Sequence, residues 1–182
     1  MQVSTLNDLF VKELRDVYNA ERQLIRTLPT MAKKANSPDL SQAIEEHLGQ
    51  TEQQAERLEQ VFSMLDVSSR GPVCKGMKGI IEEGKETLEE TDEPDVTDAG
   101  IIASAQKVEH YEIATYGTLC EYANVLGHSD IADLLKTTLE EEKAADKKLS
   151  ELAERGINAM ATNGGGNGEE QMGNGRDKNR KR

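Results

Sequence analysis

At 182 residues the chain has room for one domain with a sizeable core plus a tail. Its 34 acidic residues against 22 basic ones give a formal net charge of −12, a surface that repels phosphate backbones. Aromatic residues make up only 3% and there is no tryptophan, which together with the charge argues against nucleic acid as the main partner. Cys74 and Cys120 follow no C-x-x-C spacing, charges recur through residues 1–30, and no uncharged run reaches membrane-spanning length. These features lead us to expect a cytoplasmic protein with reduced thiols and no membrane partner.

Four long helical patterns follow one another, with no strand-like alternation to compete. The first is predicted from Thr5 to Ala35, with Leu6, Leu9, Phe10, Leu14, Val17, Leu24 and Leu28 on one side and Pro29 expected to kink or end it. "SPDL" (37–40) is a start signal for the second, which runs to Leu65. The third begins at Thr97 or Asp98 and continues to Val125, and "GHSDI" (127–131) closes it and opens a fourth that reaches Glu154. Short joints make each pair antiparallel, whereas roughly thirty residues separate the pairs. Within that stretch "CKGMKGIIEEGKETLEE" (74–90) reads as a short amphipathic helix. The expected fold is therefore all-α: a ferritin-like four-helix bundle of two antiparallel hairpins joined by a long crossover containing a short fifth helix. It spans residues 1–160. Residues 161–182, rich in Gly and Asn and closing on "RDKNRKR", are expected to be a disordered tail with a basic end.

The two halves align without a gap at an offset of 91 residues. Glu21 falls on Glu112, Gln50 on Glu141 and Asp39 on Asp130, with Val17/Val108, Leu28/Leu119, Ala32/Ala123, Leu48/Leu139 and Leu58/Leu149 as further identities.

Each helix also loses its apolar character at about the same height. The inward stripe of the third contains Glu109 and Glu112 between Ala105 and Leu119, and that of the first places Glu21 between Val17 and Leu24. On the second helix His47, Gln50, Thr51 and Gln54 lie between Ile44 and Leu58. On the fourth, the repeat favours Glu141 and the seven-residue spacing favours Glu142; the repeat is followed here. Ionised carboxylates sharing a buried layer repel one another and lose their hydration, and divalent cations relieve both costs. Glu21, His47, Glu109, Glu112, Glu141 and Glu142 are accordingly the candidate metal ligands, His47 being alternatively a structural core histidine. The expected cofactor is a pair of divalent ions, iron first, with manganese and zinc also compatible with carboxylates. His110 is expected in a supporting or interface role, His128 as a helix cap, and Tyr18 either as a hydrogen-bonding partner of the site or as core packing.

The stretches "LRDVYNAERQL" (14–24), "HLGQTEQQAERLEQVF" (47–62), "CKGMKGIIEEG" (74–84), "QKVEHYEIATYGTL" (106–119) and "LEEEKAADKKLSELAE" (139–154) resemble the stress-associated YciF/YciE family, over residues 4 to 157. That resemblance implies a ferritin-like or rubrerythrin-like bundle, a homodimer and a dinuclear metal centre. It makes Glu21 the first-helix ligand, Glu112 its third-helix counterpart, Glu109 an extra third-helix acid and Glu141 the fourth-helix acid. The Glu-x-x-His pattern of such bundles is missing, because residue 53 is Gln and residue 144 is Ala. Two functions stand side by side. One is an iron-dependent protein acting on dioxygen or peroxide. The other is a non-enzymatic stress or partner-binding bundle with a weak or vestigial metal site, in which Met77, Ile80 and Ile81 of the crossover pack either on a second subunit or within one chain.

Overall fold

Each long helix starts where the sequence supplies a cap or a first-turn proline. In the computed structural model, which describes residues 3–162, α1 covers Leu6–Lys34 and opens with a reciprocal capping box between Thr5 and Asp8. Helix α2 (Pro38–Met64) is capped by Ser37, whose side chain accepts from the Leu40 amide. The crossover carries α3 (Lys75–Glu90). Helix α4 (Pro94–Val125) begins ahead of the expected Thr97 or Asp98, because Pro94 presets its first turn and Asp95 favours the positive end. Helix α5 (Ser129–Leu152) runs through one π-helical turn, Ala153–Ile157, into a last turn, α6 (Asn158–Ala161). No strand occurs among the described residues, so the all-α expectation holds. Of the predicted tail, Ala161 ends α6 and Thr162 follows it, while residues 163–182 with the basic end lie outside the described residues.

Pro29 does not end α1. The helix continues to Lys34, and the buried Leu28, Met31 and Ala32 pack the core on both sides of the proline, which offsets the one backbone bond it cannot make. At the α4–α5 turn Gly127 takes φ +80°, and the His128 amide reaches back to the Ala123 carbonyl at 2.8 Å. This is the Schellman closure that a glycine at this position permits. His128 starts α5 but makes no side-chain cap, and its ring stacks on Phe10 instead.

Helix α1 packs along α2 and α4 along α5, while α1 also meets α4 and α2 meets α5, closing a four-helix ring; α3 lies against α4 and α1. One buried acid locks the two hairpins together. Asp98 of α4, 3% exposed, accepts the Asn36 and Ser37 amides of the α1–α2 turn, one on each oxygen and both at 2.7 Å. The crossover is tied down similarly. Asn19 Oδ1 accepts the Cys74 amide at 2.8 Å, Gln23 donates to the Cys74 carbonyl at 3.1 Å, and Tyr111 Oη contacts Cys74 Sγ at 3.0 Å while donating to Asp16 at 2.8 Å. Burial raises the Cys74 thiol pKa, so this thiol is a packed neutral group rather than a nucleophile. Met77 is fully buried in the protein's own core, and Ile80 and Ile81 pack against the same cluster.

The core consists of two apolar zones. One is built around Leu24, Leu28, Ile44, Met77, Ile101, Ile102 and Leu149, the other around Phe10, Leu14, Leu58, Phe62, Leu119 and Leu135. The polar layer anticipated from the sequence lies between them.

Asp98→Ala would strand two buried amides that now share one carboxylate. It is expected to destabilise the protein by about 2–4 kcal/mol in urea denaturation, whereas an exposed control such as Asp133→Ala should stay within about 0.5 kcal/mol.

Candidate metal centre

The polar layer follows from one spacing used four times. Steps of three and four residues carry the inward stripe through Val17, Glu21 and Leu24 on α1, through Ile44, His47, Thr51, Gln54 and Leu58 on α2, through Ala105, Glu109, Glu112, Tyr116 and Leu119 on α4, and through Leu135, Thr138, Glu142 and Leu149 on α5. All of these residues are buried, and Glu21, Glu112 and Glu142 are 0% exposed.

His47, Glu109, Glu112 and Glu142 each offer a ligand atom within 4.8 Å of the others. His47 Nε2 lies 3.4 Å from Glu109 Oε1 and 4.0 Å from Glu142 Oε2. Glu21 sits beside Glu112, and Tyr116 Oη donates to its Oε1. Gln54 donates to Glu142 Oε1.

The layer falls far short of satisfying itself. Among the described residues, eight buried side-chain atoms lack a hydrogen-bond partner: Glu21 Oε2, both His47 ring nitrogens, Gln54 Oε1, Glu109 Oε2, both Glu112 oxygens and Glu142 Oε2. Every one belongs to this layer. Asp98, equally buried, has partners for both oxygens, so the deficit is particular to the site and not a general property of buried acids here.

Loss of hydration is the chief reason that Glu21, Glu109 and Glu112 are all held well above the usual carboxylate range. Neighbouring negative charge adds to it: Glu142 acts on Glu21, Glu142 and Asp146 on Glu109, and Glu21, Glu142 and Glu109 on Glu112. Tyr116 and the Arg57 guanidinium pull Glu21 the other way. Without cations, the carboxyls can remain together only by sharing protons. The donor set, four carboxylates and one imidazole in a dry layer, is suited to divalent first-row metals.

Glu141 reaches only the edge of this site. Its carboxylate lies on the flank of α5 in a two-pronged pair with Arg57, at 3.0 and 3.1 Å, and also accepts from the buried Gln54 amide at 3.1 Å, while Arg57 bonds Thr138 Oγ1 as well. Glu142 is the inward acid, so following the repeat to Glu141 misplaced the fourth-helix carboxylate by one residue. The frame of the repeat was sound. Gln50 and Glu141 are both half-buried flank positions, while Thr51 and Glu142, their neighbours in the same frame, both point inward. Glu142 itself is 0% exposed, whereas Glu140, two residues earlier, is a surface acid that pairs with Lys143.

Tyr18 takes the packing role, with its ring edge on Phe62 and its hydroxyl donated to Glu59. His110 is exposed, 3.4 Å from Asp146. The hydrogen-bonding tyrosine is instead Tyr116, whose place on the inward stripe was the available signal. Gln54 was legible as a polar stripe residue, but its bond to Glu142 was not. It occupies the i+3 position after Thr51 where a Glu-x-x-His pattern would put histidine, and the corresponding residue after Glu142 is Ala145. Histidine enters the layer only from His47, one turn earlier.

Fold and site together define an all-helical protein with a buried carboxylate–histidine cluster that could hold metal. The chain belongs to the DUF892 family, a domain of unknown function whose model matches residues 5–162. It is 47% identical to protein YciF of Escherichia coli K12 over 164 residues, covering 90% of this chain and 99% of that protein. The crystal structure of the E. coli stress protein YciF superposes with a TM-score of 0.83 at 46% identity, covering 86% of this chain and 99% of that one. YcfI of Rhodopseudomonas palustris superposes at 0.80 with 48% identity, covering 82% and 95%. No described helix is long and apolar enough to cross a membrane.

Because the metal-free native state holds protons that an unfolded chain would release above the ordinary glutamate value of 4.5, its stability should fall as pH rises from there. Glu112→Gln removes one such group. In chelator-treated protein its stability advantage over the parent should widen from pH 5 to pH 8, by at most about 1.4 kcal/mol per pH unit. A difference independent of pH in urea melts would contradict the buried, proton-holding assignment.

Proposed function

We propose that this protein is a ferritin-like metal-binding protein with a stress-associated role, holding two divalent ions, iron in the first place, in the layer between its two apolar zones. The observation that carries this reading is the set of eight partnerless buried atoms, all within the acidic layer and all capable of meeting a cation or a cation's water. His47, Glu109, Glu112 and Glu142 would hold one ion, and Glu21 with the shared Glu112 the other. Four carboxylate charges then face two ions of +2, which removes the need to keep the acids protonated. The stress role is carried over from the E. coli relative, whose structure is described as that of a stress protein.

When bound, a pair of iron ions supplies redox chemistry toward dioxygen or peroxide. The chain's own residues hold the site ready for it. Tyr116 orients Glu21 and keeps a proton beside it, since burial and the neighbouring Glu21 and Glu112 charges hold the phenol in its neutral form. Gln54 donates to both Glu142 and Glu141, and the Arg57 guanidinium balances the Glu141 charge at the edge of the layer. The apolar zones on either side exclude water.

One feature favours a non-enzymatic variant of this reading: α2 contributes His47, Thr51 and Gln54 but no carboxylate, so the ligand set is uneven between the hairpins. Turnover distinguishes the two. A catalytic pair consumes peroxide and develops visible absorbance on aerobic iron loading, and both are lost in Glu112→Ala; a binding-only site takes up metal and does neither.

Metal uptake itself is tested by elemental analysis and by anomalous scattering at the iron and zinc edges of metal-soaked crystals. Two ions are expected within the layer. Saturating metal, at about one hundred times its Kd, should stabilise the fold by about 2.7 kcal/mol, or roughly 5–10 °C in melting temperature, reversibly with chelator. Glu112→Gln should weaken binding by at least about tenfold. Uptake of none of iron, manganese or zinc, or uptake unchanged in Glu112→Gln, would overturn the proposal.

A further inference from the structure

An internal cavity of about 150 Å³ opens among helices α1 to α5, and one of its ends is the edge of the acidic layer. At the level of the acids its lining includes His47 and Glu109; away from them it is mostly hydrocarbon, including Leu24, Leu28, Ile44, Val108 and Leu149, with the small hydroxyls of Thr27 and Ser104 among them. The helix register orders these groups. Along α1 the lining runs from Leu24, next to the layer, to Met31, a helix rise of roughly 10 Å, and Leu88 of α3 closes the same far region. The cavity thus extends away from the layer, and the buried polar atoms without a partner in its lining, those of His47 and Glu109, lie at one end only. At the surface its rim carries Lys85 and the ion pair of Lys148 with Glu46, which links α5 to α2.

A mostly apolar pocket that reaches this far between packed helices can bury a small hydrocarbon chain away from water. Its polar end is not neutralised from within. Neither His47 nitrogen has a hydrogen-bond partner, nor does Glu109 Oε2, and both side chains are at least nine-tenths buried. A hydroxyl suits these groups best, because it can donate to the carboxylate or to an imidazole nitrogen and accept from an imidazole N–H. A second carboxylate would be repelled by the layer.

We infer that this cavity is a binding site for a short, unbranched alkyl molecule with a single hydroxyl-type head, its head at His47 and Glu109 and its chain directed toward Met31 and Leu88. The inference goes beyond the metal reading and concerns the metal-free protein: its head groups, His47 and Glu109, belong to the proposed ligand set, so an ion bound there would compete with the molecule's head, whereas the hydrocarbon walls come from residues outside that set. The site lies next to the proposed metal layer, so a molecule held there would present its head carbon to that edge.

The test uses full-length, chelator-treated protein and 1-hexanol as the probe, followed by methyl NMR. Saturable shifts are expected at Leu24, Leu28, Ile44, Ile80 and Leu149, with the probe's hydroxymethylene protons close to the His47 ring and its terminal methyl close to Met31 or Leu88. Ala105→Leu, which pushes a larger side chain into the cavity, should weaken binding by at least about tenfold, the equivalent of excluding two methylenes. Shifts that never saturate, shifts scattered over the surface, or unchanged binding in folded Ala105→Leu would overturn the site. If that variant does not fold, head-to-tail orientation in the parent protein decides alone: contacts in the reverse order, or none, overturn it. Metal uptake is measured separately, so failure here leaves the metal reading standing, and the converse also holds.

Discussion

Four carboxylates in a layer with no bulk water constrain everything else in this molecule. An isolated buried carboxylate costs several kcal/mol, and like charges held together add to that cost. Where this protein buries an acid for architecture, at Asp98, it surrounds it with donors. In the central layer it does not: Tyr116 and Gln54 each satisfy one oxygen, and the other oxygens face one another. A sequence maintained only for stability would be expected to place hydrocarbon there. The arrangement makes sense as a trade of stability for a site whose charge is completed from outside.

The apolar zones account for how that trade is survivable. Each draws side chains from both hairpins, so the layer is held between two packed blocks instead of lying at a frayed end. The clamps at the periphery do the positioning. Asp98 fixes the α1–α2 turn against α4, the Asn19, Gln23 and Tyr111 contacts pin the crossover at Cys74, and Arg57 draws Glu141 aside. Gly76 belongs to the same set, because a Cβ there would come within 2.9 Å of the Tyr111 ring that anchors Cys74. These contacts set helix register, and register decides which of two adjacent glutamates reaches the interior.

How much of this could be read from the sequence follows from the physics of each feature. Helix positions, the hairpin pairs and the crossover helix were legible because periodicity and caps are local signals. The inward acids Glu21, Glu109 and Glu112 were legible because they interrupt apolar stripes. The choice between Glu141 and Glu142 was less secure: adjacent residues on a helix differ by about 100°, and the decision depends on where Arg57 of another helix lies. Pro29 was overweighted because a local penalty was judged without the tertiary packing that offsets it. The tyrosine that serves the site was sought at Tyr18 and found at Tyr116, which differ only in which stripe they join. No local pattern marks the cavity, which is a shortfall of volume among five helices.

The 91-residue repeat invites the idea that either half could stand by itself. The burial pattern argues otherwise. Phe10, Leu14 and Leu58 of the first half complete one block only with Leu119 and Leu135 of the second, and Leu24, Leu28 and Ile44 complete the other only with Ile101, Ile102 and Leu149. A lone hairpin would present a long greasy ridge with charged carboxylates set into its middle, a surface suited to pairing with another such hairpin and poorly suited to solitude. The two halves therefore behave like the cheeks of a vise: each has a shape, but only closure on the other gives it a grip.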